Sequence, residues 1–192
     1  MALPQEKSYT YADLLEWEAD PMRYELYDGQ LRALSAPTDV HQLILTELLT
    51  QIHTHLRGTC RGVFPAPFDV RLFENKGDHP QDVKTVVQPD LSIVCKKNGQ
   101  VDGKGIHGAP DLVVEILSPS TKQYDCLVKY KLYQQAGIRE YWIVDPDKKL
   151  VLVYTLVEGQ YYVPEVYTAR DSVPVGVLED CAVDLTAVFP EE

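Results

Sequence analysis

Hydrophobic and polar positions change their spacing several times along the chain, and each change predicts an element. The opening TYADLLEWEAD reads as a short helix, because Thr10 can cap the backbone and Asp13 resembles the returning carboxylate of a capping box. Pro21 ends it. RYELY and QLRAL flank Asp28-Gly29, a dipeptide that accepts positive φ angles and suits a two-residue hairpin turn. Over residues 39–57, Val40, Leu43, Ile44, Leu48, Ile52 and Leu56 recur at three- and four-residue steps. That spacing predicts one buried helical stripe, ending at Gly58.

Residues 63–73 read as extended chain interrupted by Pro65 and Pro67, and ENKGDHPQDVKT reads as a loop. Two strands follow over 90–95 and 111–117, separated by the glycine-rich KKNGQVDGKGIHG. The second is apolar on both faces, as a central strand covered on two sides would be. Ser118-Pro119-Ser120-Thr121 stops it, and a helix over 121–136 closes at Gly137. REYWIVD, LVLVYTL and YYVPEVYTA are strand-like, with Glu158-Gly159 as a turn, and predict a C-terminal meander. Together these predict an α/β fold: a mixed central sheet flanked by helices, with an N-terminal helix and hairpin, in a single domain over 1–192.

Composition narrows the class. With 45% hydrophobic and 24% charged residues the chain is of ordinary globular type. Its apolar runs fall far short of the ~18 residues of a membrane span. The start MALPQEKSYT lacks the basic and apolar regions of a secretory signal, so the expected location is the cytoplasm. Cys60, Cys95, Cys126 and Cys181 are far apart, which favours free, mostly buried thiols over a zinc site or disulfide. His53, His55, His79 and His107 have no metal-ligand spacing. The net charge of −11 argues against a grip on phosphates. A nucleic-acid reading therefore needs a local basic stripe, for which Lys122, Lys129, Lys131, Lys148 and Lys149 are candidates.

Candidate chemistry centres on Glu115 within VVEIL, since a buried carboxylate without a partner costs several kcal/mol or takes up a proton. Strand alternation puts Asp111, Val113, Glu115 and Leu117 on one face. Glu115 is either salt-bridged to a nearby lysine or arginine, exposed at the strand end, or part of a site. Asp90, at the entrance to DLSIV, is either a strand-boundary residue or the second half of a carboxylate pair able to hold a hard ion such as Mg²⁺ or Mn²⁺. Asp125, Lys129 and Tyr133 recur every four residues on one helix face. They form either a surface ion pair beside an aromatic or a means of bringing an ammonium to an attacking water or a phosphate oxygen. Lys122 is a further candidate, whereas Lys131 points elsewhere.

These segments carry a family resemblance. QPDLSIV, APDLVVEILSPSTKQYD and KYKLYQQAGIREYWIVDPD, preceded by RYELYDGQL and the helix opening with His41, resemble the Uma-two family of restriction-endonuclease-type proteins. The likeness covers a core of about residues 23–157. It implies a restriction-endonuclease-like fold of the PD-(D/E)XK nuclease superfamily and a Mg²⁺-dependent endodeoxyribonuclease acting on DNA. Carried over by position, the acids are Asp90 and Glu115, and the metal ligands are Asp90, Glu115 and the Ile116 carbonyl. The usual lysine position falls on Leu117, and Lys129 is the matching lysine from the following helix. Lys129 would orient the attacking water, with Asp125 fixing the lysine. Glu25 also matches a family position, near the metal or behind its ligands, unless it pairs with a hairpin arginine. His41 either serves the site or caps a turn.

By analogy with nucleases that cut both strands, a homodimer is expected. Against the enzyme stands a catalytically degenerate nuclease fold used as a nucleic-acid-binding or assembly module. In that reading Tyr141, Trp142, Tyr154, Tyr161, Tyr162 and Tyr167 would form a dimer surface. Leu117 and the charge of −11 favour it. A carboxylate-pair glycosidase is a third class, which would need no metal and would leave the lysine idle.

Overall fold

The segment Leu112–Ile116 runs through the middle of the molecule because both of its faces are apolar enough to be covered. All five of its residues are buried. The structure, a computed structural model, describes residues 7–17, 21–56, 62–95, 100–119 and 122–189. In chain order it contains α1 (Tyr11–Glu16), β1 (Arg23–Tyr27), β2 (Gln30–Leu34), α2 (Asp39–His55), β3 (Gly62–Pro65), β4 (Asp69–Arg71) and β5 (Val86–Val87). Next come β6 (Leu91–Val94), β7 (Gly105–His107) and β8 (Leu112–Ile116). A composite helix follows, made of α3 (Lys122–Tyr124), a π-helical turn (Asp125–Lys129) and α4 (Tyr130–Ala136). The chain continues through β9 (Glu140–Asp145), β10 (Leu150–Val157), β11 (Gln160–Tyr161), β12 (Glu165–Thr168), β13 (Ser172–Pro174) and β14 (Ala182–Asp184).

The central sheet has the order β11-β10-β9-β8-β6-β3, with β12 also paired to β10. β8 and β9 are parallel and the composite helix crosses between them, while β6 joins β8 antiparallel, so the sheet is mixed. On one face α2 packs Ile44, Leu45, Leu48 and Ile52 against Leu112, Val114, Ile116 and Trp142. The C-terminal hairpin β13–β14 adds Val173, Val183 and Leu185 to this layer. On the other face Leu132 and Tyr133 of α4 pack against Val113, Tyr141 and Ile143. A second sheet, β2-β1-β5-β4-β7, carries the N-terminal hairpin. This is the mixed α/β, restriction-endonuclease-like arrangement that the patterning and the resemblance predict.

Local chemistry explains the elements. Thr10 and Asp13 close the capping box of α1, with Thr10 N–H donating to Asp13 Oδ2 at 2.7 Å. Thr38 caps α2 by accepting from the His41 N–H at 3.3 Å. Gly137 ends α4 in the left-handed region. Asp28 (φ 47°) and Gly29 (φ 79°) make the tight turn of the first hairpin, which sets Glu25 opposite Arg32.

Several expectations need correction. β5 and β7 fall in segments without strand periodicity, and they form because β1 and β4 offer pairing edges. Residues 63–73 divide into two strands, β3 in the central sheet and β4 in the second one, with a cis Ala66–Pro67 bond between them. YYVPEVYTA is two strands, both laid along β10, because Pro164 has no N–H for a ladder. Of the aromatics assigned to a dimer surface, Tyr141, Trp142 and Tyr161 are buried inside the chain and cannot contribute to one, whereas Tyr162 is exposed. Tyr130, Tyr141, Tyr154 and Tyr161 instead pack on one another beneath the helix. Cys95, Cys126 and Cys181 are free thiols, the first two only half-buried. Cys60 and the helix stop at Gly58 lie outside the described residues. Among the described residues no helix is long and apolar enough to cross a membrane.

The first hairpin tests this account. A Cβ on Gly29 would meet Ser8 Oγ and the Tyr9 carbonyl in a backbone conformation that side chains rarely adopt. Gly29→Ala is expected to lower stability by about 1–3 kcal/mol, read from the midpoint of urea unfolding.

Candidate active site

Glu115 points to the helical side of β8, the face shared by Val113 and Leu117. Leu91 pairs with Val114 in the β6–β8 ladder, so the next antiparallel step puts Asp90 opposite Glu115, on the same side of the sheet. Asp90 is anchored at the strand end, where its Oδ2 accepts the Ile116 N–H at 2.7 Å and lies 3.1 Å from His41 Nε2. His41 comes from the first turn of α2, and so the long helix fixes the carboxylate from the other layer.

Lys129 arrives from the composite helix. Its ammonium lies 2.8 Å from Glu115 Oε1, 2.9 Å from Glu25 Oε1 and 3.8 Å from Asp125 Oδ1. All four side chains are at least nine-tenths buried. Tyr133, one turn on, donates to the same Glu115 oxygen at 2.6 Å. The sequence predicts a regular helix here, and the π-helical turn at Asp125–Lys129 is a departure from it. Asp125, Lys129 and Tyr133 all face inward, and in the wider turn the Asp125 carbonyl accepts both Tyr130 N–H and the Tyr141 hydroxyl.

Glu25 comes from the first hairpin, where strand alternation sends Leu26 into the α1 cluster and Glu25 the other way. Its Oε1 also accepts the Gln88 N–H at 2.9 Å. Glu25 therefore pairs with the helix lysine and not with a hairpin arginine. Arg23, Glu25, Arg32, His41, Gln88, Asp90, Glu115, Ile116, Asp125 and Lys129 line a single cavity of about 240 Å³.

Charge in this cavity is unbalanced. Burial raises the Glu115 carboxyl well above its ordinary value. Lys129 pulls it down, but Asp125, Asp90 and Glu25 add to the burial and prevail. Burial also opposes the Lys129 ammonium, yet Glu115, Glu25 and Asp125 outweigh it and hold the lysine well above its usual value, fully charged. The buried cluster around Lys129 thus has more carboxylates than its one ammonium neutralises.

Residues 11–186 match the family Uma2, described as "Putative restriction endonuclease". The chain belongs to the Uma2 family. Among its relatives is an uncharacterised protein of Synechocystis, slr1290, 29% identical over 144 residues, which are 74% of this chain and 71% of that one. A solved structure from Anabaena variabilis, titled a "putative nuclease belonging to DUF820", superposes with a TM-score of 0.73 at 20% identity. The match covers 94% of this chain and 97% of that one, and it shows the shared fold.

In this Uma2 chain Leu117 is buried in the core against α4, and the ammonium near Glu115 comes from Lys129. Lys122 is a correction: it pairs with Asp145 at 3.0 Å and does not line the cavity. Of the lysines considered for a basic stripe, only Lys129 lines it. The cations that sequence reasoning missed are Arg23 and Arg32. The two-residue turn already implied the second, because it sets residue 32 across from Glu25.

The site's donors are hard oxygens, of the kind a Mg²⁺-type ion prefers. Glu25 Oε2 is buried with no hydrogen-bond partner among the described residues, which suits a cation or its water. Among the described residues no group of three or more His, Cys, Asp or Glu side chains forms a metal cage by itself. The set fits an ion held by few protein ligands and several waters, as Mg²⁺ commonly is.

Two outcomes test the electrostatics. Glu115 binds its proton more readily in the folded state, so from its ordinary value of 4.5 upward the native chain carries the extra proton. Stability therefore falls as pH rises through that window. Glu115→Gln is expected to flatten the decline in unfolding midpoints between acidic and neutral buffers, and an equal slope would refute the charge excess. Lys129→Ala leaves the buried carboxylates without their ammonium and is expected to cost about 3–5 kcal/mol, measured by chemical denaturation.

Proposed function

We propose that this chain is a metal-dependent endonuclease that hydrolyses phosphodiester bonds of DNA in this cavity. The observation that carries the reading is that Asp90, bound to the Ile116 N–H next to Glu115, shares one cavity with Glu115 and with the Lys129 ammonium 2.8 Å from Glu115. Asp90, Glu115 and the Ile116 carbonyl are the proposed ligands of Mg²⁺ or Mn²⁺. When bound, such an ion supplies Lewis-acid charge to a phosphodiester oxygen and to water.

The chain's own residues do the rest. Lys129 keeps its proton, so it acts as a cationic donor that orients water or steadies charge growing on phosphate, and not as a base. Glu25 and Asp125 hold that ammonium, and His41 holds Asp90. Leu117 does not count against activity in this reading, because the helix delivers the charge that position 117 lacks. Cutting both strands calls for two centres, which a homodimer would provide. The proposed setting is the cytoplasm.

Purified protein is expected to nick supercoiled plasmid in Mg²⁺ or Mn²⁺ and to stop in chelator. Asp90→Ala and Glu115→Ala are each expected to reduce nicking by on the order of a hundredfold or more while circular dichroism stays native. Absence of cleavage with either ion, or cleavage indifferent to both substitutions, would refute the enzyme and favour the binding module.

A further inference from the structure

Four buried side-chain polar atoms lack a hydrogen-bond partner among the described residues: Glu25 Oε2, Arg32 Nη1, His41 Nδ1 and Gln88 Oε1. All four belong to residues lining the one cavity. Buried polar groups are nearly always satisfied in native proteins, so such a cluster points to a ligand that completes them. Arg71 shows how the same side chain looks in a structural role. It donates to Glu74 at 2.8 Å, to Asp102 at 2.7 Å and to the Tyr11 hydroxyl at 3.3 Å. Arg32 shows no carboxylate partner of this kind among the described residues. It stands opposite Glu25 in the hairpin, yet Glu25 uses its Oε1 on Lys129 and Gln88, and Arg32 Nη1 is left without a hydrogen-bond partner among the described residues. Its guanidinium instead lies 3.5 Å from the centre of the Tyr124 ring.

A ring beneath a guanidinium fixes its plane and leaves the in-plane N–H groups free for an anion, and a planar N–H fork matches phosphate geometry. We infer that Arg32, braced on Tyr124, is the residue that binds a phosphodiester oxygen of the substrate in this cavity. The inference rests on the nuclease reading and names a residue outside the acid-lysine set. Free phosphate alone fits less well, since Glu25 Oε2 and Gln88 Oε1 are acceptors and call for a cation or donor beside the anion. A phosphodiester accompanied by a divalent cation satisfies both. Arg23 lies on the same strand face as Glu25 and adds positive charge to the lining.

The test is binding of a short fluorescein-labelled DNA duplex, followed by anisotropy in Ca²⁺ over a range of salt. Arg32→Gln is expected to weaken binding by on the order of tenfold and to reduce the slope of log affinity against log salt by about one. Arg32→Lys should restore the slope but only part of the affinity, because the point charge remains and the fork is lost. Tyr124→Leu keeps the charge, removes the platform and is expected to weaken binding by about threefold. Exposed Arg170→Gln should bind as the unsubstituted protein does.

Unchanged affinity and slope in Arg32→Gln, or no binding by the unsubstituted protein, overturns the inference. If Arg32→Gln unfolds, Tyr124→Leu decides, and unchanged affinity there overturns it equally. Plasmid nicking separates the two readings. Nicking by the unsubstituted protein that Arg32→Gln matches in KM refutes the phosphate role alone. Arg32-dependent binding without any nicking refutes the nuclease and keeps the phosphate site.

Discussion

A single buried ammonium among three carboxylates governs the shape of this molecule. Lys129 touches Glu115 on the central strand, Glu25 on the first hairpin and, more distantly, Asp125 on its own helix. Removing these charges from water is expensive, and the cost is recovered only while the geometry holds. Three elements, β8, the first hairpin and the composite helix, therefore converge on one nitrogen. The ion cluster ties the hairpin to β8 and the helix beside the cavity, whose lining includes all four charged residues. Its residual negative charge also makes it receptive to a further cation.

The π-helical turn is the local device that makes this possible. A regular helix would also set Asp125, Lys129 and Tyr133 on one side, but in a stack with less room between Asp125 and Lys129. Widening the turn frees the Asp125 carbonyl, which the Tyr141 hydroxyl and Tyr130 N–H then share. The aromatic cluster under the helix thus supports the site from below. This explains why those tyrosines are buried inside the chain, where a reading of their chemistry alone would place them at an interface.

Much of this was legible in the sequence, and the limits have physical causes. The apolar run around Glu115 identified both the central strand and its anomalous carboxylate, and the Asp-Gly turn fixed the first hairpin. Spacing also placed Lys129 and Tyr133 on one face. It could not reveal the π-turn, which depends on Tyr141 reaching back from the next strand. Nor could it reveal β5 and β7, whose few residues become strands only because edges of β1 and β4 await them. Lys122 looked equivalent to Lys129 by type and neighbourhood. Asp145, at the far end of β9 and in no pattern a spacing rule detects, captures it at the surface.

The overall charge of −11 remains the main objection to a nucleic-acid substrate, and the distribution of charge answers it. Whole-protein charge sets long-range steering, whereas recognition within a cavity depends on the groups lining it. There the carboxylates are already partly neutralised by Lys129, and a bound divalent ion would reverse more of the charge. Arg23 and Arg32 stand on the hairpin wall across from them. A strand bearing phosphates would thus meet the two arginines, and stronger positive charge once a cation is in place. Under the proposed nuclease reading this arrangement would couple substrate affinity to metal occupancy, because the ion adds positive charge beside carboxylates that by themselves disfavour a phosphate.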